Sequence, residues 1–375
     1  MRKLIYMFLI FLPALNGAAI LGAAEFTIPR MEMATWGKVE SGDFILSSAI
    51  QADLSLSGGY KYGMLLGFNF ETPDIMTTRA SSLSFRIAKA SARDLFGKPL
   101  ELSFFIGDGD DFCSGDEFST RFGIVPIETE YQGFSYFPDG IRYDGIHSAM
   151  GTGFSLALTK WEHIVPMIYL YEDFIDTSGT TGFFDNDGKA HYSGDLRVLI
   201  NLERVKIEAF SGLSLTKSSK ANVRAGLLAD FITESGMEFL FQGGIPGWDA
   251  GTSLKIDHFF FLMEPRLRFA KYGFIMTFFY HPVEYLHIKT DEERGKVDIN
   301  AKFYLGKPDA IFKAGLESTF GMKVTKMDDL ALWVSPFATF SSGGLLWDTK
   351  IRINVLDTDP PAEMFGFFFG VRTSF

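Results

Sequence analysis

The chain has little cysteine, no excess of basic residues and no apolar run of membrane-helix length beyond its first residues. Cys113 is the only cysteine among 375 residues, which excludes an internal disulfide and the paired-cysteine patterns of zinc sites. Asp and Glu number 46 against 35 Lys and Arg, for a formal net charge of −11, so nucleic acid is not expected as a partner. After residue 24 no apolar run approaches the roughly 18 residues of a membrane helix, which excludes a helical membrane protein.

The first 24 residues have the three parts of a secretory leader. Arg2 and Lys3 precede an apolar run over residues 4–15, and a stretch of small residues ends at Ala24. This run is too short to span a membrane as a helix, and its flanks predict a signal peptide over residues 1–24, cleaved after Ala24. Residues 25–375 are expected to form one exported domain, because no linker and no solenoid repeat interrupts them.

What the chain has in abundance is phenylalanine. Phenylalanine occurs 40 times and 47% of residues are hydrophobic, although the mean hydropathy is only +0.11. In residues 365–375, Phe365, Phe367 and Phe369 share one parity, while mostly small residues, with Phe368 and Arg372, share the other. Because a strand points alternate side chains to opposite faces, this pattern predicts a strand with one apolar face and one small or polar face. The same alternation occurs in residues 192–202, 205–209, 223–231, 297–305 and 347–355.

Alternation alone would also suit a soluble sandwich, so the connections decide the fold. Short links alternate with longer polar stretches, a length asymmetry typical of an up-and-down barrel with short periplasmic turns and long outer loops. The longer stretches are residues 71–78, 107–147, 173–190, 216–221, 243–251, 281–296, 321–329 and 357–363.

The expected fold is therefore all-β: a single transmembrane antiparallel up-and-down β-barrel of 16 to 18 strands. About seventeen strands can be counted between residues 44 and 375, and a closed barrel with both ends on one rim needs an even number. If residues 26–36 are also a strand the count is 18, which we favour; 16 strands with a free N-terminal segment is the alternative. The charged parity switches between residues 254 and 269, which predicts a β-bulge at Pro265.

The last strand resembles the terminal strand of bacterial outer-membrane β-barrels, which are porin-like in architecture; no particular transport family is indicated. The resemblance implies an outer-membrane location, contact with outer-membrane lipid, and assembly by the barrel assembly machinery. Phe367, Phe369 and the closing Phe375 are then expected to be part of the assembly signal that this machinery reads.

If the apolar parity faces lipid, the polar parity lines a wet lumen. A Lys or Arg on the lipid face near the midplane costs roughly 2–4 kcal/mol, so this sorting should be strongly enforced. The lumen-lining bases predicted on this basis are Arg86, Arg197, Lys206, Arg224, Lys255, Lys302, Lys313, Lys350, Arg352 and Arg372.

The longest connection, residues 107–147, is far longer than ordinary loops and is acidic at its start. As the third outer loop, it resembles the constriction loop of porins, which folds into the barrel and sets acids opposite basic wall residues. Such an arrangement would create a transverse field that screens solutes. A solvated surface loop is the alternative interpretation. The predicted constriction-loop acids are Asp108, Asp110, Asp111, Asp116 and Glu117.

The leading functional hypothesis is a porin-like channel for passive diffusion of small hydrophilic solutes, neutral or anionic. A plugged barrel that takes up hydrophobic ligands and a surface adhesin or structural barrel are the alternatives; the oligomeric state stays open. No enzymatic activity, metal or cofactor is expected. Adjacent strand residues such as His147 and Ser148 point to opposite faces and cannot form a catalytic dyad, and Cys113 carries no metal-ligand pattern.

Overall fold

A computed structural model of the chain describes residues 24–76, 80–134, 137, 140–141, 145–173, 191–215, 221–280, 296–307, 310–323, 326–356 and 361–373. In this part of the chain 18 antiparallel strands form one sheet, which closes because β1 pairs with β18. The predicted all-β barrel and the favoured count of 18 strands are confirmed. The predicted leader lies outside the described residues except for Ala24.

The strands follow one another around the barrel in chain order. They are β1 (Glu25–Glu40), β2 (Asp43–Gly58), β3 (Tyr62–Thr72), β4 (Ser82–Ala92), β5 (Leu100–Phe112), β6 (His147–Leu158), β7 (Ile164–Asp173), β8 (His191–Asn201), β9 (Val205–Leu215), β10 (Ala221–Ile232), β11 (Glu238–Asp249), β12 (Phe260–Arg268), β13 (Tyr272–Tyr280), β14 (Lys296–Leu305), β15 (Phe312–Lys323), β16 (Lys326–Ser342), β17 (Leu345–Asn354) and β18 (Phe365–Thr373). One short α-helix, α1 (Glu117–Phe122), follows β5. None of the helices in the described part is long and apolar enough to cross a membrane.

The seam between β1 and β18 closes the wall. Residues 32–38 of β1 pair in antiparallel register with residues 366–372 of β18, so the N-terminal segment is part of the wall. Gly37 lies beneath the stacked rings of Phe44 and Phe367, whose centroids are 5.9 Å apart. A Cβ at Gly37 would lie 2.3 Å from Phe367 Cε1, so glycine is needed for this aromatic contact across the seam.

The two faces of the wall are sorted in the reverse of a soluble protein. Outward side chains are large, apolar and exposed: Phe369 is 45% exposed and Ile351 is 56% exposed. Inward side chains include charged groups that are nearly inaccessible: Asp195 is 2% exposed and Glu264 is 0% exposed. An exposed apolar belt around a polar interior is the surface expected of a barrel surrounded by lipid.

The connections differ between the two rims. Links that follow even-numbered strands are all short, and we call that end the short-turn rim; the longer connections follow odd-numbered strands at the long-loop rim. Three expected long connections need correction. β5 continues to Phe112, so its loop spans residues 113–146; β11 continues to Asp249; and residues 324–325 alone join β15 to β16. The polar residues at these strand ends are assigned to loops from the sequence. They belong to strands, because the inward parity of a barrel strand is itself polar.

The expected bulge at Pro265 is wrong. Met263 faces Phe278 and Arg266 faces Ile275 in one unbroken register between β12 and β13, although proline cannot donate to the ladder. Lys255 lies in the connection 250–259, beside a 3₁₀ turn over Ile256–His258, and is not on a strand. The apparent switch of parity arose from counting this connection as strand.

Candidate functional site

The connection after β5 folds into the barrel; we call residues 113–146 the inner loop, of which 113–134, 137, 140–141 and 145–146 are described. Several of its apolar side chains are buried against the inward face of β5 to β13, as with Phe118 at 0% and Tyr131 at 3% exposure. The wall contributes inward apolar residues such as Leu199 and Leu228 to the same cluster. This half of the lumen is therefore a dry core, stabilised by apolar burial.

The base of the inner loop is fixed by a buried ion pair. The Cys113 backbone N–H donates to the Glu208 carboxylate, and the Gln242 amide donates to the Cys113 carbonyl oxygen at 2.5 Å. Arg197 Nη2 lies 2.6 Å from Glu208 Oε1, and both side chains are 0% exposed. A buried charge needs a partner, so the loop cannot leave Glu208 without a cost. Burial, together with the charge of Glu208, raises the pKa of the Cys113 thiol well above its ordinary value.

The middle of the inner loop is held by β12. Glu264 accepts hydrogen bonds from the Thr129 hydroxyl at 2.5 Å, from the Glu130 backbone N–H at 2.9 Å and from Arg266 Nε at 2.7 Å. Arg268 Nη2 lies 2.9 Å from Glu130 Oε1. Acids of the loop and bases of the wall thus meet at this point of the lumen.

The charge environment of Glu130 stabilises its ionised form. Enclosure in the lumen favours protonation, but the positive charges of Lys302, Arg266, Arg268 and Lys313 outweigh it and lower the Glu130 pKa to about 2.

The far end of the inner loop reaches the opposite wall. Phe134 and Phe137 pack on the inward ring of Phe368, with centroids 4.9 and 4.4 Å away. The Arg352 guanidinium lies between the rings of Trp333, at 4.0 Å, and Phe137, at 4.9 Å. Cation–π contacts of this kind are worth about 0.5–2 kcal/mol each. The inner loop therefore crosses the lumen from β5 to β18.

The predicted constriction acids lie elsewhere than expected. Asp108, Asp110 and Asp111 are on β5, because β5 is longer than predicted and a register irregularity separates Asp108 from Asp111. Asp110 pairs with Lys89 Nζ at 2.8 Å and accepts a hydrogen bond from Tyr169. These acids are thus wall residues.

The other two predicted acids lie at the start of helix α1. Asp116 is exposed at its start, and Glu117 pairs with Arg121 at 2.9 Å. Arg121 also binds Glu101 of the wall at 2.9 Å. The loop acids near the bases of β12 and β14 are Glu128 and Glu130, which the sequence reasoning did not single out.

Three predicted lumen bases lie on the inward face of β8 to β10. Arg197 is described above. Arg224 pairs bidentately with Asp195, at 2.6 and 2.8 Å, and Lys206 Nζ lies 3.7 Å from Asp230 Oδ2. Arg86 occupies the irregularity between β3 and β4 and lies over Gly67.

The other five predicted bases lie on the inward face of β14 to β18. Lys350 Nζ pairs with Glu317 at 2.5 Å, and Arg372 Nη2 lies 3.4 Å from Asp348. Lys302 lies over the Phe337 ring at 5.1 Å. Lys313 lies over the Tyr304 ring at 5.4 Å, and Arg352 is held as described. Of the ten predicted bases only Lys255 is outside the lumen wall.

Charge is unevenly distributed across the lumen. On β12 to β18 the inward side chains that the structure describes carry more bases than acids, whereas the described part of the inner loop carries more acids than bases. The inward bases of these strands are Arg266, Arg268, Lys302, Lys313, Lys350, Arg352 and Arg372; the acids are Glu264, Asp298, Glu317 and Asp348. Opposed charges across a narrow lumen produce a transverse field.

A cavity of about 460 Å³ lies between the inner loop and the short-turn rim. Residues 124–130 and Gln132 of the loop form one side. The other sides are the ends of β9 to β12 and of β17 and β18 nearest the short turns, with Asp230 and Arg372 among the lining residues.

The remaining predicted positions carry less information. Phe367 and Phe369 point outward from β18, and Phe375 lies outside the described residues. In the described ranges, no group of three or more His, Cys, Asp or Glu side chains has an arrangement that could hold a metal ion.

No protein-family model and no curated protein matches the chain. Solved structures that do match are bacterial β-barrels. A mutant porin of Rh. blastica aligns over 94% of this chain and 100% of its own at 11% identity, with a TM-score of 0.47. The Escherichia coli outer-membrane protein Wzi aligns over 94% of this chain and 85% of its own at 11% identity, with a TM-score of 0.49. Pseudomonas aeruginosa OccD3 aligns over 95% of this chain and 92% of its own at 10% identity, with a TM-score of 0.48. The likeness concerns the barrel fold.

Proposed function

We propose that this protein is an outer-membrane channel for passive diffusion of small hydrophilic solutes, with a lumen narrowed by the inner loop. The outward apolar belt supports a bilayer location, and the leader pattern supports export to the outer membrane. The observation that carries the channel is the polar side of the lumen, where Glu130 of the loop faces Arg268, Lys302 and Lys313.

The charge distribution supports a preference for neutral and anionic solutes over cations. The described inward side chains of β14 to β18 carry more bases than acids. The bases are Lys302, Lys313, Lys350, Arg352 and Arg372, and the acids are Asp298, Glu317 and Asp348. A lumen lined by positive charge concentrates anions and repels cations.

A plugged barrel for hydrophobic ligands would need inward aromatic side chains that are open to a ligand and a free N-terminal segment to serve as the plug. The inward aromatics Phe368 and Phe210 instead pack against Phe137 and Phe112 of the loop region. The N-terminal segment forms β1 of the wall. These observations favour the diffusion channel.

The test is reconstitution of the purified, folded barrel into a planar bilayer. Stepwise conductance is expected, with a reversal potential that indicates anion preference. Replacing Lys302 and Lys313 by Glu should reverse that preference, because both lie on the lumen wall near Glu130. A folded barrel that gives no conductance would contradict the proposal.

Shortening the inner loop separates a channel from an adhesin. Deletion of residues 116–144 should raise the conductance, because the described residues of this range lie in the lumen. The matched control is deletion of residues 251–254, in an exposed connection at the same rim, which should leave conductance unchanged. An adhesin would lose partner binding when residues 116–144 are deleted, and neither deletion variant would conduct.

A further inference from the structure

Three neighbouring turns at the short-turn rim form one continuous surface, which we call the rim patch. Its turns are residues 59–61 after β2, 93–99 after β4 and 159–163 after β6. Backbone hydrogen bonds join each turn to the next. The Arg93 N–H donates to the Lys61 carbonyl oxygen at 2.8 Å, and the Thr159 N–H donates to the Pro99 carbonyl oxygen at 2.9 Å. Side chains of the three turns can therefore act together on one partner.

The rim patch is basic, although the chain as a whole has a formal net charge of −11. Its bases are Lys61, Arg93, Lys98 and Lys160, and its acids are Asp94 and Glu162. The next two turns along the same rim, residues 202–204 and 233–237, carry two acids and one base, and that base, Arg204, pairs with Glu234. The rim patch is therefore more positive than the part of the rim beside it.

The charge of the lysines is available to a partner. Lys61, Lys98 and Lys160 are exposed and have no ion-pair partner among the residues that the structure describes. Lys160 Nζ lies 5.9 Å from the centroid of the Trp161 ring. Arg93 differs from the lysines, because its Nε lies 3.3 Å from Glu101 Oε2.

Exposed aromatic side chains accompany these lysines. Tyr60 is 76% exposed and Trp161 is 48% exposed. The outward apolar belt of the wall begins beside them, where Met64 of β3 is 55% exposed and Ile164 of β7 is 40% exposed. Aromatic side chains and lysines at the end of a lipid-facing belt lie at the level of the lipid headgroups.

Phe96 has an unusual backbone conformation within the rim patch. Its φ of 55° is in the left-handed region, which a bulky residue adopts only at a cost in free energy. Its side chain is 93% exposed, so packing within the described chain does not explain the conformation. Strained residues cluster at sites that bind something, and Phe96 is therefore suited to a contact outside the chain.

We propose that the rim patch binds the headgroups of anionic phospholipids in the adjoining leaflet. The lipid phosphates would accept hydrogen bonds from the three lysines, and the rings of Tyr60, Phe96 and Trp161 would lie among the headgroups. A lipid without net charge would leave the lysine charges uncompensated. The inference rests on the proposed function in one respect, since the barrel is taken to lie in a bilayer.

The test compares lipid preference at two positions of the folded barrel in vesicles of phosphatidylcholine and phosphatidylglycerol. Bromine is placed on the acyl chains of one lipid or the other, because it quenches the fluorescence of a nearby indole. The quenching lost on Trp161→Phe reports on the rim patch. The quenching lost on Trp347→Phe reports on the outward face of β17, near the same rim on the opposite side of the barrel. A preference for phosphatidylglycerol is expected at Trp161 and not at Trp347.

A triple variant removes the three free charges from exposed turns. Its substitutions are Lys61→Gln, Lys98→Gln and Lys160→Gln. The preference at Trp161 should fall roughly fivefold for each lysine replaced and should disappear in the triple variant. The matched control makes the same change in net charge outside the rim patch and should leave the preference at Trp161 unchanged. The exposed lysines replaced by glutamine in the control are Lys255, Lys271 and Lys307.

A second measurement needs no substitution in the rim patch. Raising the salt concentration screens exposed charges, so it should weaken the preference at Trp161 in the barrel with its lysines intact. Equal quenching of Trp161 by the two brominated lipids, an equal preference at Trp347, or a preference that survives in the triple variant would overturn the proposal. A barrel that shows the preference but does not conduct would contradict only the channel, and a conducting barrel without the preference would contradict only the rim patch.

Discussion

The buried pair of Arg197 and Glu208 predicts how firmly the inner loop is held in the lumen. Glu208 is the acceptor for the Cys113 backbone N–H and lies 2.6 Å from Arg197, with both side chains 0% exposed. Glu208→Gln leaves the shape of the side chain but removes its charge. Loss of one partner from a buried pair costs roughly 3–5 kcal/mol. Arg197 would retain the Asp111 carbonyl at 2.9 Å and the Tyr169 hydroxyl at 3.5 Å, so the lower value, about 3 kcal/mol, is expected.

Cys113 reports directly on this anchor, because it is the only cysteine of the chain and is 0% exposed while the loop is docked. A maleimide can react only when the loop base opens, so the labelling rate of the folded barrel follows the opening equilibrium. A loss of about 3 kcal/mol raises that rate roughly a hundredfold. The matched control is Glu234→Gln, which breaks the exposed Arg204–Glu234 pair in a short turn and should leave the rate unchanged.

The thiol pKa must be separated from opening in this experiment. Burial first, and then the negative charge of Glu208, raise the pKa of Cys113. Glu208→Gln removes the second cause, so a thiol that reacted while still docked would show a pH–rate profile moved to lower pH. Opening instead multiplies the rate by the same factor at every pH between 7 and 9. A parent thiol that reacts as fast as a small free thiol, or a variant rate equal to that of the parent, would refute the account of the loop base.

Two further predictions concern the seam and the lumen charge. Gly37→Val should lower the temperature at which the folded barrel loses its heat-modifiable gel mobility, because the added Cβ meets the Phe367 and Phe44 rings at 2.3 and 2.6 Å; Gly194→Ala, with its nearest contact at 3.5 Å, is the control. The pKa of Glu130 is lowered to about 2, so its charge stabilises the docked loop fully at pH values above 4.5, the ordinary glutamate pKa. This contribution is lost as the pH falls through about 2. Anion selectivity should therefore stay constant from pH 7 to pH 4, and a change between pH 5 and pH 4 would contradict the assignment.

The wall of the barrel could be predicted from the sequence because each strand meets the same two surroundings. Lipid requires apolar side chains on one parity, and the lumen accepts charge on the other, whatever the neighbouring strand. Arg352 and Lys302 could therefore be placed inward from their own strands alone. Lys255 shows the limit of this reasoning, since parity has no meaning for a residue in a connection.

The path of the inner loop could not be predicted, because its partners are distant in sequence. Glu130 meets Arg268 only because the loop crosses the lumen at the level of β12. One signal was nevertheless present. The segments 164–171 and 274–280 are apolar on both parities, and their inward members Met167, Tyr169 and Phe279 belong to the core around the loop. A membrane strand with two apolar faces therefore indicates a wall against which something packs.

The same inward apolar residues determine where any permeation path must lie. Leu199, Leu228, Leu240 and Leu262 would face water if the inner loop left the lumen, and exposure of a buried leucine costs roughly 1.5–3 kcal/mol. The docked loop is therefore the resting arrangement, and the half of the lumen beside β5 to β13 is closed in it. In the proposed channel, solutes pass only between the loop and the basic wall, so substitutions at Lys302 or Lys350 should change selectivity. Substitutions at the inward leucines should change stability and leave selectivity as it is.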